Sequence, residues 1–173
     1  MKYKVSKNKL LKNIKHRVFN IRKQNRDKII REREVELVGF TFMPNHFHLI
    51  VRELTDDGTG ISNYMKRVLG GFAKYSNVKY GETGHVFQGT FGAVHIEDNN
   101  QLLYLSTYIH KNPREIKKWK NMEDKYPWSS YQDYVTRNHW GELLETDIIT
   151  AQFKNNEEYK DFVITSPAKE EDQ

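Results

Sequence analysis

The period of apolar and polar positions changes several times along the chain, and each change marks an element. In residues 8–34, Leu10, Leu11, Ile14, Val18, Ile21, Ile29 and Ile30 stand among many charges. The spacings of 3, 4 and 3 between Leu11, Ile14, Val18 and Ile21 predict an amphipathic helix, with a break around residues 25–27. Residues 35–42, VELVGFTF, are β-branched and aromatic and predict a strand. Met43-Pro44-Asn45 predicts a turn, because proline has no place inside a central strand. Residues 46–53, HFHLIVRE, predict a second strand that completes an antiparallel hairpin.

Residues 54–61 read as a loop, and residues 62–80 as a helix with Ser62 as its N-cap. Gly70-Gly71 is costly inside a helix and predicts close backbone approach or a kink there. Residues 81–98 form a glycine-punctuated approach to a further strand centred on residues 91–96. Asn99 or Asn100 is expected to cap the next helix, QLLYLSTYIHK, which Pro113 helps to end by restricting Asn112. Residues 119–131 are a Trp- and Tyr-rich connection whose Trp119, Trp128 and Tyr131 are expected in the core of the C-terminal segment. A short helix follows from Ser129, and the polar tail, residues 166–173, is expected to fray.

Composition narrows the class. At 173 residues, with 37% hydrophobic and 13% aromatic residues, the chain has enough apolar material for one folded domain with appendages. The absence of cysteine excludes a disulfide scaffold, thiol catalysis and cysteine-ligated zinc. No apolar run approaches the roughly 20 residues of a membrane helix. The basic N-terminus is followed by no apolar segment, so a cytoplasmic protein without a membrane partner is expected. Charge is unevenly spread. Residues 1–33 hold 13 Lys and Arg against Asp27 and Glu32, whereas the remainder holds 15 against 21 acids. This fits a polyanion partner, and it fits equally a solvated, lysine-rich helix that keeps the protein soluble.

Two small constellations carry chemistry. His46 and His48 are two apart on a strand, so both imidazoles leave one face and make half of a metal site. Two ordinary surface histidines would show the same spacing. Tyr108 and Asn112 are one turn apart on a helix face. A tyrosine hydroxyl is able to attack a phosphodiester and become phosphotyrosine, and an asparagine offers a neutral carbonyl oxygen to a cation. Alone the pair reads as a packed aromatic and a helix end, since the chain has ten tyrosines and Tyr104 lies one turn earlier on the same face.

The ordered set PNHFHLIV, FQGTF, IED, LSTYIHKNP and YPWSSY, over about residues 35–134, resembles the HUH class of single-tyrosine transposases. The nearest branch is that of the REP-associated tyrosine transposases and related insertion-sequence enzymes. The resemblance implies an α+β fold, ferredoxin-like or RRM-like, with helices packed on an antiparallel sheet. To this the chain adds a basic, mainly helical segment over residues 1–34 and a C-terminal helical extension over residues 135–173. It implies that His46 and His48 bind metal, that Tyr108 is the catalytic nucleophile, and that Asn112 completes the metal site. His110, about 200° round the helix from Tyr108, is a decoy.

The implied activity is a metal-dependent single-stranded DNA endonuclease and strand transferase acting through a 5′-phosphotyrosine at hairpin-flanked sites. The implied ion is Mg²⁺ or Mn²⁺, the latter better suited to imidazole. No nucleotide cofactor is expected, because the covalent bond stores the phosphodiester energy and no G-x-x-x-x-G-K-[ST] motif is present. Arg52, Lys66, Arg67, Lys74 and Lys79, with the N-terminal basic run, are the candidate contacts to single-stranded or hairpin DNA. The alternative is a domesticated module that binds DNA hairpins without catalysis. The family pattern begins with a strand, for which residues 1–5 and 16–20 are the weak candidates here. A degenerate first strand would leave a sheet edge to cover, so monomer and homodimer both remain open.

Overall fold

The computed structural model describes residues 26–169. The chain divides into two compact units, residues 1–33 and 34–173. The described part of the first is a short helix, α1 (Arg26–Arg31), with Asp27 in its first turn and Lys28 and Arg31 in its last. That placement suits the helix dipole. The candidate first strands and most of the predicted N-terminal helix lie outside the described residues.

The second unit is α+β, built on an antiparallel hairpin of β1 (Val35–Phe42) and β2 (Phe47–Glu53). Thr41 pairs with His48 and Phe42 with Phe47, and Met43 N donates to His46 O at 2.8 Å to close the turn. The register shifts between Leu37 and Gly39, which marks a bulge at Val38. β1 is buried on both faces over most of its length. Its second edge is taken by the PWSSY segment rather than by another strand. Phe42 N donates to Trp128 O at 2.8 Å, Ser130 N to Phe40 O at 2.9 Å, and Thr41 bridges Ser129. Further along, Glu145 N donates to Leu37 O at 2.8 Å.

The helices are α2 (Gly60–Tyr80), α3 (Asn99–Lys111), α4 (Tyr131–Val135), α5 (Asp147–Thr150) and α6 (Asn156–Thr165). The core joins Val38 and Ile50 of the hairpin, Ile109 of α3, Tyr131 and Tyr134 of α4, Ile149 of α5, and Tyr159 and Val163 of α6. The C-terminal helices are therefore part of the same core as the hairpin. Gly39 permits this packing: a β-carbon there would stand 3.0 Å from Ile109 Cδ1. The core tyrosines keep their hydroxyls paired, Tyr134 donating to Val38 O at 2.6 Å and Tyr159 to Ser106 Oγ at 3.2 Å.

Several expectations are corrected. Residues 91–96 form no strand; the segment is irregular, and Val94 is 82% exposed. A strand needs a neighbour for its amides; the outer edge of β1 is taken by residues 128–130, and among the described residues no backbone hydrogen bond ties residues 91–96 to β2. Helix α2 begins two residues before Ser62, where Glu53 receives Gly60 N at 2.6 Å and Ile61 N at 3.1 Å. The cap is thus a carboxylate from the end of β2. Gly70 and Gly71 meet no close backbone, since a β-carbon at either would face open space and α2 runs through them unbroken. Helix α3 is capped by Asp98, whose Oδ1 accepts Gln101 N at 2.8 Å, rather than by Asn99 or Asn100. Tyr131 is in the core, but Trp128 is 62% exposed because its backbone, not its ring, serves the sheet edge. The tail does not fray at its start: Ser166 and Ala168 are buried.

Candidate active site

The turn between β1 and β2 sets the first part of the site. His46 ends the turn and His48 lies in β2, and their rings meet edge to face with centroids 5.1 Å apart. His46 Nδ1 is 2.8 Å from Asn45 Oδ1. The amide oxygen only accepts, so Nδ1 carries the proton and Nε2 keeps its lone pair. His48 is half-buried. Burial foremost, then electrostatic interaction with the neighbouring His46 and with Lys169, holds its imidazole below the usual value, against an opposing pull from Glu115. A neutral imidazole is the form that ligates metal.

Helix α3 brings the second part. The Tyr108 ring stands 5.7 Å from the His48 ring, edge to face. Three of the four residues singled out from the sequence are therefore contiguous. Asn112 sits at the end of α3, fully buried, and its Nδ2 donates back to Tyr108 O at 3.0 Å. Its Oδ1 is buried and has no hydrogen-bond partner. An orphaned buried acceptor is expensive, and a cation is one partner that would relieve it. Among the described residues no group of three or more His, Cys, Asp or Glu side chains gathers as a metal site. Imidazole nitrogens such as those of His46 and His48, and an amide oxygen such as that of Asn112, are donor types that suit a divalent cation.

His110 faces away, as its angle on the helix requires. It is fully buried, with Nδ1 2.8 Å from Tyr159 Oη and Nε2 2.8 Å from Ser130 Oγ, and it stacks on Tyr131. Burial pushes its imidazole down to about 3, so it is a neutral core residue. Tyr104 is 47% exposed one turn before Tyr108.

Two residues were missed in the sequence. Lys169 Nζ lies 4.4 Å from the centre of the Tyr108 ring and forms an ion pair with Glu115. Neither stands in a recognisable motif, and the polar run around Lys169 reads locally as a loose end.

The candidate DNA contacts are dispersed. Arg52 is paired with Glu36, whose side chain is 6% exposed, so much of its charge is matched inside the fold. Arg67 reaches Glu34 at 3.6 Å. Lys66 and Lys74 are exposed on α2, and Lys79 lies over the rings of Tyr75 and Tyr80 at 5.4 and 5.1 Å. No described helix is long and apolar enough to cross a membrane.

Residues 2–112 match the family model described as Transposase IS200 like. The matched span takes in the basic N-terminal segment together with His46, His48, Tyr108 and Asn112. Neither the curated proteins nor the solved structures contain a match to the chain.

Proposed function

The chain belongs to the IS200-like transposase family, and from that premise we propose that it is a metal-dependent single-stranded DNA endonuclease and strand transferase with Tyr108 as its nucleophile. Its partner is DNA, as for any transposase; the finer reading is that the strand is cut single-stranded beside a hairpin. The observation that carries the reading is the contact of Tyr108 with His48, itself in contact with His46.

His46, His48 and Asn112 would hold Mg²⁺ or Mn²⁺. When bound, the ion supplies Lewis-acid polarisation of the scissile phosphate. The remaining work belongs to the protein. Asn45 fixes the His46 tautomer and leaves Nε2 as the donor atom. The Tyr108 phenol loses its proton to water, and its oxygen attacks phosphorus. The P–O3′ bond breaks, O3′ leaves as a hydroxyl after taking a proton from water, and Tyr108 keeps the 5′-phosphate. Reversal by a new 3′-hydroxyl joins strands without a nucleotide cofactor.

The test is a covalent-adduct assay with labelled single-stranded DNA hairpins in Mn²⁺ or Mg²⁺, resolved on a denaturing gel. The expected result is a metal-dependent adduct absent from Tyr108→Phe and from the double variant His46→Ala/His48→Ala. Full cleavage by Tyr108→Phe would overturn the nucleophile. Tight hairpin binding with no adduct in either ion would favour the non-catalytic binding module instead.

A further inference from the structure

We propose that Lys169 is an active-site residue whose ammonium stabilises the negative charge that the Tyr108 oxygen develops during attack. This deepens the reading of Tyr108 as nucleophile and rests on it. Lys169 lies beyond the matched residues 2–112, so the family match does not bear on it.

The geometry is built rather than casual. The segment after α6 is pinned to α3, the helix that carries Tyr108. Ser166 Oγ is 3.0 Å from Thr107 Oγ1, and Lys111 Nζ donates to Ser166 O. Ala168 N donates to Ser166 Oγ at 3.2 Å, and Ala168 is fully buried. Lys169 then adopts φ 67°, in the left-handed region that non-glycine residues seldom enter. Such a conformation persists where surrounding contacts enforce it, and it clusters at functional sites. The outcome is an ammonium on a side chain only 9% exposed, set against the Tyr108 ring and paired with the half-exposed Glu115. Burial acts to lower the Lys169 pKa, but hydrogen bonds to Glu115 and to Tyr108 outweigh it and the net shift is upward. Lysine therefore stays charged beside the phenol.

This supplies what the sequence lacked. The phenol has no dedicated base, yet its oxygen must pass through an anionic state. His48 meets the ring on one side at 5.7 Å, and Lys169 places a fixed positive charge at 4.4 Å. The ammonium lies over the Tyr108 ring face, and a preorganised positive charge beside a developing anion is a strong form of transition-state stabilisation. Lys169 keeps its proton throughout: the phenolic proton goes to water, as in the step above.

Two measurements on the full chain test this. The first needs no DNA: tetranitromethane nitrates tyrosine through its phenolate, and peptide mass spectrometry locates the product. In Lys169→Met, nitration of Tyr108 should fall about tenfold, the scale of one charge-assisted contact, with Tyr104 unchanged as internal control. Lys169→Arg should retain it within about twofold. The second is the rate of single-turnover adduct formation, which should fall about tenfold in Lys169→Met and return to within about twofold of wild type in Lys169→Arg. Unchanged nitration of Tyr108 overturns the proposal, as does an unchanged adduct rate. Faster nitration or faster adduct formation in Lys169→Met also overturns it, because the segment would then be a shield. Absence of any adduct from the wild-type protein would instead strike the nucleophile reading, and nitration would still decide whether Lys169 acts on the Tyr108 oxygen.

Discussion

Tyr108 and His110 stand two positions apart on α3 and meet opposite environments. Tyr108 faces the histidine pair, and His110 is sealed among Tyr131, Tyr134 and Tyr159. The folded protein refuses His110 a proton down to about pH 3, whereas the unfolded chain accepts one at about 6.5. Between those values the unfolded state binds more protons, so stability falls as pH drops, by up to about 1.4 kcal/mol per unit. The melting temperature should therefore decline from about pH 7 to 5 more steeply in the wild type than in His110→Gln. Equal slopes would contradict the assignment of His110 as a neutral core group. A second prediction concerns the orphaned Asn112 Oδ1. Saturating Mn²⁺ at about a hundredfold over its Kd should stabilise the wild type by roughly 2.7 kcal/mol. The gain should vanish in His46→Ala/His48→Ala and shrink in Asn112→Ala, as read by thermal shift. An undiminished gain in the double variant would remove the histidines from the metal site.

At the scale of elements, β1 is fastened on both edges, by β2 and by residues 128–130, and its fastenings are specific. Ser130 Oγ accepts Phe40 N at 2.9 Å and also meets His110. Ser130→Ala should leave these buried groups short of a partner and cost about 1–3 kcal/mol in a urea titration. A cost near zero would mean that the sheet edge is held by its backbone bonds alone. Gly39→Val should cost a similar ~1–3 kcal/mol by driving a side chain into Ile109. These elements also mark how far the sequence was legible. VELVGFTF and HFHLIVRE carry their strand signal locally, and α2 and α3 carry helical periods, so all four were readable. Residues 91–96 have strand composition, but pairing depends on a free edge, which no local pattern reports. The Glu53 cap of α2 escaped notice because it comes from the preceding strand. Residues 166–169 looked loose because their burial comes from docking on Thr107 and Lys111, far away in the chain. The histidines and Tyr108, which the fold brings together, stand in local motifs, whereas Lys169 and Glu115 come near them only through the fold.

At the scale of the whole molecule, charge and chemistry are separated along the chain. Thirteen basic residues lie in residues 1–33, and the proposed site residues His46, His48, Tyr108 and Asn112 lie in residues 46–112. The family match spans both, which fits a division between holding DNA and cutting it. Binding to a single-stranded hairpin probe should weaken steeply with salt. Replacing Lys2, Lys4, Lys7 and Lys9 with glutamine should flatten the log–log slope by up to about 3, at roughly 0.7 for each phosphate no longer neutralised. An unchanged slope would assign the basic segment to solubility alone.

The most direct measurement is the location of the covalent bond. The protein, incubated with a single-stranded hairpin substrate and Mn²⁺, would be digested with nuclease and protease, and the nucleotide-bearing peptide sequenced by mass spectrometry. The expected product is a 5′-phosphonucleotide on Tyr108, within the peptide that carries YIHKNP. A nucleotide on Tyr104 or on any other residue would contradict Tyr108 as the nucleophile.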